Sequence, residues 1–245
     1  GVTIKNGHVS YEAGRYYVSV TAEIDETSRY NNDLEASYHP QSDGIGVDLG
    51  VKSLAIVSDG RIFENINTSS RARRLEKRLR REQRRLSRKY EMRKRKGGST
   101  ATASANIEKK KSSVQKLHQR LANLRRNHEN QVIHALVEQK PRFITVEDLN
   151  VTGMMKNRHL SKAVAQQRFY SFREKLRRKA EIIGIEFRIA DRFYPSSKTC
   201  HACGHVHSGL KLKDRVYVCP ACGFTEDRDL NAALNLRDTK NYSIA

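Results

Sequence analysis

Two CxxC pairs separated by fifteen residues constrain this chain more than any other feature. They read CHAC from Cys200 and CPAC from Cys219. Thiolates at this spacing close on one tetrahedral ion, which fixes the intervening chain as a small β module over residues 195–226. Cys200, Cys203, Cys219 and Cys222 are the only cysteines, so they serve one site. No secretory signal is evident, which favours reduced thiols on zinc; disulfides or iron at the same ligands are the rival outcomes. His201, His205 and His207 lie nearby, but four thiolates already fill a tetrahedron. A closed site has no open position for a substrate, so this zinc is expected to be structural.

The sequence DRDLNAALN follows the module at once, where a helix should start. Asp227 suits the N-cap, since a carboxylate there accepts from the free amides of the first turn. Asp229 should point inward beside Ala232 and Ala233, whose small side chains let the helix pack closely. Both acids could equally be capping residues.

Two other segments carry acids in strand contexts. GIGVDLGVKSLAIVSDGRIFE (residues 44–64) reads strand, tight turn, strand, turn, strand, with Asp59-Gly60 a strong hairpin turn. Asp48 lies near the end of the first strand, between Gly46 and Gly50, which would let a phosphate backbone and a metal approach closely. An ordinary hairpin Asp is the plain alternative. The phosphate loop of actin-like ATPases is another, but that fold needs a second phosphate loop and a glycine-rich adenosine site, and neither is found. PRFITVED (141–148) reads as a short buried strand ending in Glu147 and Asp148, at the carboxyl edge where sites in α/β sheets gather. A solvent-facing strand end would look the same.

The rest of the chain is basic. Its 47 Lys and Arg against 27 Asp and Glu give a formal charge of +20. So large an excess draws a polyanion, most commonly nucleic acid. No apolar run is long enough to span a membrane, and no basic amphipathic helix has an aromatic or Leu-rich face. Residues 1–40 read as β-hairpin material, with Val2–Lys5 and Tyr16–Ile24 as strands and a polar loop over Glu26–Asp43. The segment 67–139 reads as two long antiparallel helices. Leu75, Leu79, Leu86 and Tyr90 stripe the first, and Val114, Leu117, Leu121 and Leu124 repeat at seam spacing on the second. A Gly/Ser/Thr/Ala hinge over 97–106 joins them. Arg71, Arg74, Arg78, Arg81 and Arg85 recur along the first helix. Such a run is often only a solvated face; at this density it is expected to grip nucleic-acid backbone, reading charge and shape rather than sequence. Asn150–Gln166 has few apolar anchors and reads as a connecting loop, Ser161–Gly184 as a helix, Ile185–Ala190 as a strand, and the tail after Arg237 as polar.

An Asp near the end of a first strand, a Glu ending a later one and an Asp on a final helix is how an RNase H-like α/β core builds a two-metal carboxylate site. Mg²⁺ prefers such oxygen ligands. GIGVDLGVKSLAIVSDG, ITVEDLNV, YPSSKTCHACG and CPACGFTEDRDLNAALNL resemble, in order and spacing, the motifs of the TnpB/OrfB proteins of insertion sequences, relatives of the type V CRISPR effectors. The resemblance runs from about residue 15 to 237. It implies a RuvC-like nuclease with a helical-hairpin insertion and a zinc-ribbon insertion. It implies an RNA-guided DNA endonuclease tied to a transposable element, using Mg²⁺ or Mn²⁺. Asp48, Glu147 and Asp229 match the catalytic acids, and the four cysteines match the zinc ligands. Arg228, beside the third acid, could bind the scissile strand, and the zinc module is expected to turn Lys198, Lys211, Lys213 and Arg215 towards nucleic acid. The resemblance also implies that Asn150–Gln166 is a lid over the active site.

The resemblance further implies a division into residues 1–42, the remnant of an N-terminal β-barrel; 43–194, a nuclease core carrying the insertion 67–139; 195–226, the zinc ribbon; and 227–245, the last catalytic motif, helix and tail. Family members carry a longer N-terminal recognition part, and the start at Gly1 suggests a fragment, a processed chain or a split protein. The implied partners are a guide RNA, target DNA and a second polypeptide or second copy supplying recognition, in the cytoplasm of a bacterium or archaeon near the nucleoid. A nucleic-acid-binding module or subunit without cleavage is the alternative function.

Overall fold

The computed structural model describes residues 2–24, 38–95, 101–211 and 213–245. Most of the expected polar loop, and residues 97–100 of the expected hinge, lie outside the described residues. The chain divides into two compact units. One comprises residues 1–31 with 66–128, the other residues 32–65 with 129–245.

The first unit holds a hairpin and a helical pair. Strands β1 (Val2–Glu12) and β2 (Arg15–Ile24) are antiparallel. The turn between them places Ala13 at φ 51° and Gly14 at φ 85°, the two left-handed positions of a tight hairpin turn. β1 runs seven residues beyond its expected end, past a bulge between Ile4 and Asn6 that shifts its register on β2. Apolar side chains on the hairpin, among them Ile4, Val9, Val18 and Val20, are exposed. Ser69 accepts from the amide of Ala72 and caps helix α1 (Ser70–Arg95). Helix α2 (Ala101–Val137) packs on it through Leu79, Val114, Leu117 and Leu121, with Leu75 and Leu86 beside them. Ion pairs Glu76–Arg125 and Glu82–Lys110 fix the antiparallel direction. The expected hinge is wrong over 101–106. That stretch is alanine-rich, and it forms the first turns of α2.

The second unit is built on a mixed six-stranded sheet. Its strands are β3 (Ile45–Leu49), β4 (Ser53–Val57), β5 (Ile62–Glu64), β6 (Phe143–Glu147), β7 (Glu186–Ala190) and β10 (Tyr242–Ile244), in the order β10-β7-β6-β3-β4-β5. The β3–β4–β5 meander is antiparallel, β3, β6 and β7 run parallel, and β10 returns antiparallel at the edge. β3, β4 and β6 read as near-continuous Val, Ile and Leu because both sheet faces are covered. Val47, Val57, Ile144 and Val146 have no exposed surface, and Leu136, Phe172 and Leu176 pack with them. Gly60, at φ 89°, closes the β4–β5 turn.

Helices α3 (Val151–Lys156) and α4 (Ser161–Gln167) follow β6, and α5 (Phe169–Ile183) leads to Gly184, a left-handed cap at φ 87°. The expected single helix over Ser161–Gly184 is therefore two, broken at Arg168, which sits at φ 57°. The expected loop over 150–166 contains α3 and most of α4. A hairpin of β8 (Val216–Val218) and β9 (Thr225–Asp227) belongs to the cysteine module, and α6 (Arg228–Asp238) follows it directly. The polar tail carries the edge strand β10. Tyr242 adds a strand because the Arg188 guanidinium lies between its ring and that of Phe143, at 4.3 and 3.5 Å.

Candidate functional site

Asp48 comes from β3, Glu147 ends the neighbouring parallel strand β6, and Asp229 lies in the first turn of α6. Gly46 explains how the helix reaches the strand. A Cβ there would stand 2.0 Å from the Ala233 carbonyl oxygen and 2.4 Å from the Arg237 amide. The glycine therefore admits the α6 backbone, and the expectation that it clears space for a phosphate is corrected. Ala232 and Ala233 are buried at the same contact.

These placements put Asp48 in the field of the other two acids. Burial pushes the Asp48 carboxyl well above the usual range, and the charges of Glu147 and then Asp229 push it further. Burial likewise raises Glu147, with Asp148 adding to it. Neither Asp48 nor Glu147 has a side-chain hydrogen-bond partner among the described residues. Asp229 is held differently. Arg228 donates to its Oδ1 from two guanidinium nitrogens, at 2.6 and 2.9 Å, and Arg215 approaches Oδ2 at 3.7 Å. Asp227 takes the capping role expected of it: its Oδ1 accepts from the amides of Asp229 and Leu230, at 2.9 and 3.0 Å. The carboxylate oxygens of the three acids do not converge as tightly as the thiols do. Among the described residues, the cysteines alone form a group of three or more metal-binding side chains with donor atoms within 4.8 Å of one another.

The cysteine cluster is built from two matching turns. In each, a CxxCG segment ends on a left-handed glycine, Gly204 at φ 76° and Gly223 at φ 74°. The glycine amide returns to the carbonyl of the first cysteine, Gly204 to Cys200 at 2.8 Å and Gly223 to Cys219 at 3.0 Å. The turns face each other with sulfur separations of 3.7 Å for Cys200–Cys222 and 3.6 Å for Cys203–Cys219. Burial opposes the Cys219 thiolate, but the amides of Cys222 and Ala221 outweigh it and draw the group down to about 6. Four convergent sulfurs with amides aimed at them can hold a soft metal such as zinc. Tyr217 fills the floor with no exposed surface, and its hydroxyl donates towards the Lys198 and His205 carbonyls at 3.3 and 3.4 Å.

The expected nucleic-acid contacts fall into two groups. Arg71, Arg74, Arg78, Arg81 and Arg85 are all exposed along α1, and Lys198 is exposed on the cysteine module. Arg228 is instead half-buried against Asp229. Sequence reasoning missed three further groups. Asn231 and Asn235, both buried, bind the backbone entering the cysteine turns. Gln167 donates to the Gly50 and Val51 carbonyls, at 3.0 and 3.2 Å, and so holds the turn after Asp48. Asp148 is gripped by Arg173 at 2.6 Å and Arg192 at 2.5 Å; burial works against its charge, but the two guanidiniums hold it below the usual range. Beside it a cleft of about 420 Å³ opens at Glu147, bordered by Tyr170, Arg173 and Arg192. The one signal that could have flagged the asparagines was their i, i+4 spacing inside a helix, where Asn is unfavoured.

The fold and site define a mixed α/β protein with an acidic cluster at the meeting of β3, β6 and α6, joined to a four-cysteine module. Residues 19–158 match the family described as "Probable transposase" (OrfB_IS605), and residues 169–236 match "Cas12f1-like, TNB domain". The first match takes in more than half of the chain, which belongs to the OrfB_IS605 family. A Streptomyces pristinaespiralis protein named "Putative RNA-guided DNA endonuclease" is 32% identical over 224 residues, 91% of this chain and 50% of that protein. "Putative RNA-guided DNA endonuclease InsQ" of Escherichia coli K12 is 30% identical over 248 residues, covering 95% and 56%. In a structure titled as a Cas12f ternary complex, one chain superposes with a TM-score of 0.58 at 18% identity, over 100% of this chain and 46% of that one. A second, from a Cas12f1–sgRNA–target DNA complex, gives 0.53 at 16%, covering 95% and 55%. The chain thus spans about half the length of the relatives it matches.

Proposed function

We propose that this chain is the cutting portion of an RNA-guided, divalent-metal-dependent DNA endonuclease associated with a transposable element. Asp48, Glu147 and Asp229 are its catalytic acids on an RNase H-like (RuvC) core. One observation carries the reading: Asp48, half-buried on β3, is met from distant parts of the sequence by Glu147, which ends the paired strand β6, and by Asp229 in the first turn of the helix packed on β3; burial first, and then these two charges, raise its carboxyl. Like charges gathered in one place are disfavoured unless a cation joins them; Arg228 supplies part of that offset at Asp229, and Asp48 and Glu147 have no such partner among the described residues.

Mg²⁺ or Mn²⁺ held by Asp48, Glu147 and Asp229 would activate a water and stabilise the leaving 3′ oxygen. The chain's own contribution is placement. β3 and β6 set Asp48 and Glu147 on adjacent strands, and the Gly46 contact seats α6, whose first turn carries Asp229, against β3. Arg228 offsets the charge of Asp229 and is the candidate to contact the scissile strand once that carboxylate takes a metal. The four cysteines hold a structural zinc in a zinc ribbon. The exposed arginines of α1, with Lys198, are proposed to grip guide RNA and target-DNA backbone. The bare apolar hairpin β1–β2 supports the need for a further segment, polypeptide or copy that supplies target recognition.

The test is cleavage of single-stranded and duplex DNA with Mn²⁺ or Mg²⁺, by chain purified with any RNA it retains. Cutting that depends on that RNA and disappears in Asp48→Ala is expected. Equal cutting by Asp48→Ala would refute the site. Salt-sensitive RNA binding without cutting would move the assignment to a binding module.

A further inference from the structure

We propose that Asn231 and Asn235 are positioning residues that tie the four-cysteine module to Asp229, so that metal loading at the cysteines sets the order of the first turn of α6. The proposal rests on the reading of Asp229 as a metal ligand.

α6 divides its surface between two neighbours. Ala232, Ala233 and Leu236 are buried, and the helix backbone lies against β3 at Gly46. Asn231 and Asn235 are one helical turn apart, so they form a single stripe along the helix. That stripe meets the chain entering the cysteine turns. Asn231 Nδ2 donates to the Thr199 carbonyl at 2.8 Å, and its Oδ1 accepts from the His201 amide at 3.1 Å. Asn235 Nδ2 donates to the same Thr199 carbonyl at 2.7 Å and to that of Ser196 at 2.8 Å. Thr199 and His201 flank Cys200, so the two asparagines grip the backbone on either side of the first cysteine.

Both side chains are buried, Asn231 at 0% and Asn235 at 5% exposure. Burying polar amides inside a helix is unfavourable unless their bonds are made, and what they add over apolar packing is direction. A second tie acts at the helix start. β9 runs without interruption into α6 through the capping Asp227, and the Arg228 amide donates to the Arg215 carbonyl at 2.8 Å. Asp229 lies between these ties, two residues from Asn231. The segment that fixes Cys200 for metal is therefore the segment that fixes the turn carrying Asp229.

The experiment is hydrogen exchange on the full chain, read at the amides of residues 229–233, with zinc bound and after chelation. It compares wild type with the Asn231→Ala/Asn235→Ala double variant. In wild type, chelation is expected to speed exchange there about tenfold or more. The zinc-loaded double variant, with zinc content measured by release to a chromogenic chelator, should already exchange near that faster rate. Chelating it should then add little, because two changes acting through one link are not additive. If the double variant does not fold, Asn231→Ala alone, which leaves both Asn235 bonds in place, should give an intermediate rate. Unchanged exchange on chelating wild type, or additive effects, would overturn the link. Mn²⁺ binding to Asp229→Ala separates the two claims. A binding defect with no exchange coupling leaves the metal-ligand reading standing and removes the link. Binding equal to wild type removes the reading and this inference with it.

Discussion

A carboxyl held above its usual range by burial and neighbouring acids destabilises a fold once it ionises. For Asp48 the raised folded-state value means the native chain binds the proton more tightly than the unfolded chain. Stability from this group is present at low pH and falls as pH climbs from the ordinary carboxylate range through the raised value. Asp48→Asn removes that term. In the presence of a divalent-metal chelator at neutral pH, the variant should melt at a higher temperature than wild type, with a flatter pH dependence above the carboxylate range. Equal or lower melting across that range would contradict the proposed electrostatics. At this scale the sequence was readable where chemistry is local. The capping of α6 by Asp227 followed from its place before a helix. The grip of Arg173 and Arg192 on Asp148 was not readable, because those side chains arrive from other elements.

Elements were legible in proportion to their periodicity. The seam of α1 and α2 and the buried strands β3, β4 and β6 follow from spacing and from runs of branched residues, except that Tyr90 is exposed and Leu124 stands outside the packed seam. The break at Arg168 carries no Gly or Pro to announce it, and β10 depends on a guanidinium stacked between two rings far apart in sequence. The purpose of Gly46 is not legible in its local sequence, since its neighbour is a helix nearly two hundred residues later. Gly46→Ala should therefore act on that helix. Its methyl meets backbone rather than a movable side chain, and a cost of roughly 3 kcal/mol or more is expected, read by chemical denaturation. A near-neutral effect would mean that α6 does not press on β3. For α1, replacing Arg71, Arg74, Arg78, Arg81 and Arg85 by Gln keeps helix propensity and removes charge. The salt dependence of RNA binding should flatten, by roughly 0.7 to 0.9 in log–log slope for each phosphate that the helix no longer neutralises. An unchanged slope would make the stripe a solvated surface.

At the scale of the molecule, no helix among the described residues is long and apolar enough to cross a membrane, and the charge of +20 remains the dominant global property. The chain spans about half the length of its relatives, and its hairpin leaves apolar side chains exposed. Charge and cysteine spacing could be read from the sequence as properties of the whole. The meeting of three acids from separate segments could be inferred there only as a pattern; the field that Glu147 and Asp229 exert on Asp48 is a property of the fold. The central claim is that these acids are one metal site. Mn²⁺ binding, followed by electron paramagnetic resonance, tests it in wild type and in alanine variants of Asp48, Glu147, Asp229 and Asp227. Loss in the first three with binding retained in Asp227→Ala, at a stability cost of about 1 kcal/mol for the missing cap, is the predicted result. Retained binding in any of the first three, or loss confined to Asp227→Ala, would contradict the account.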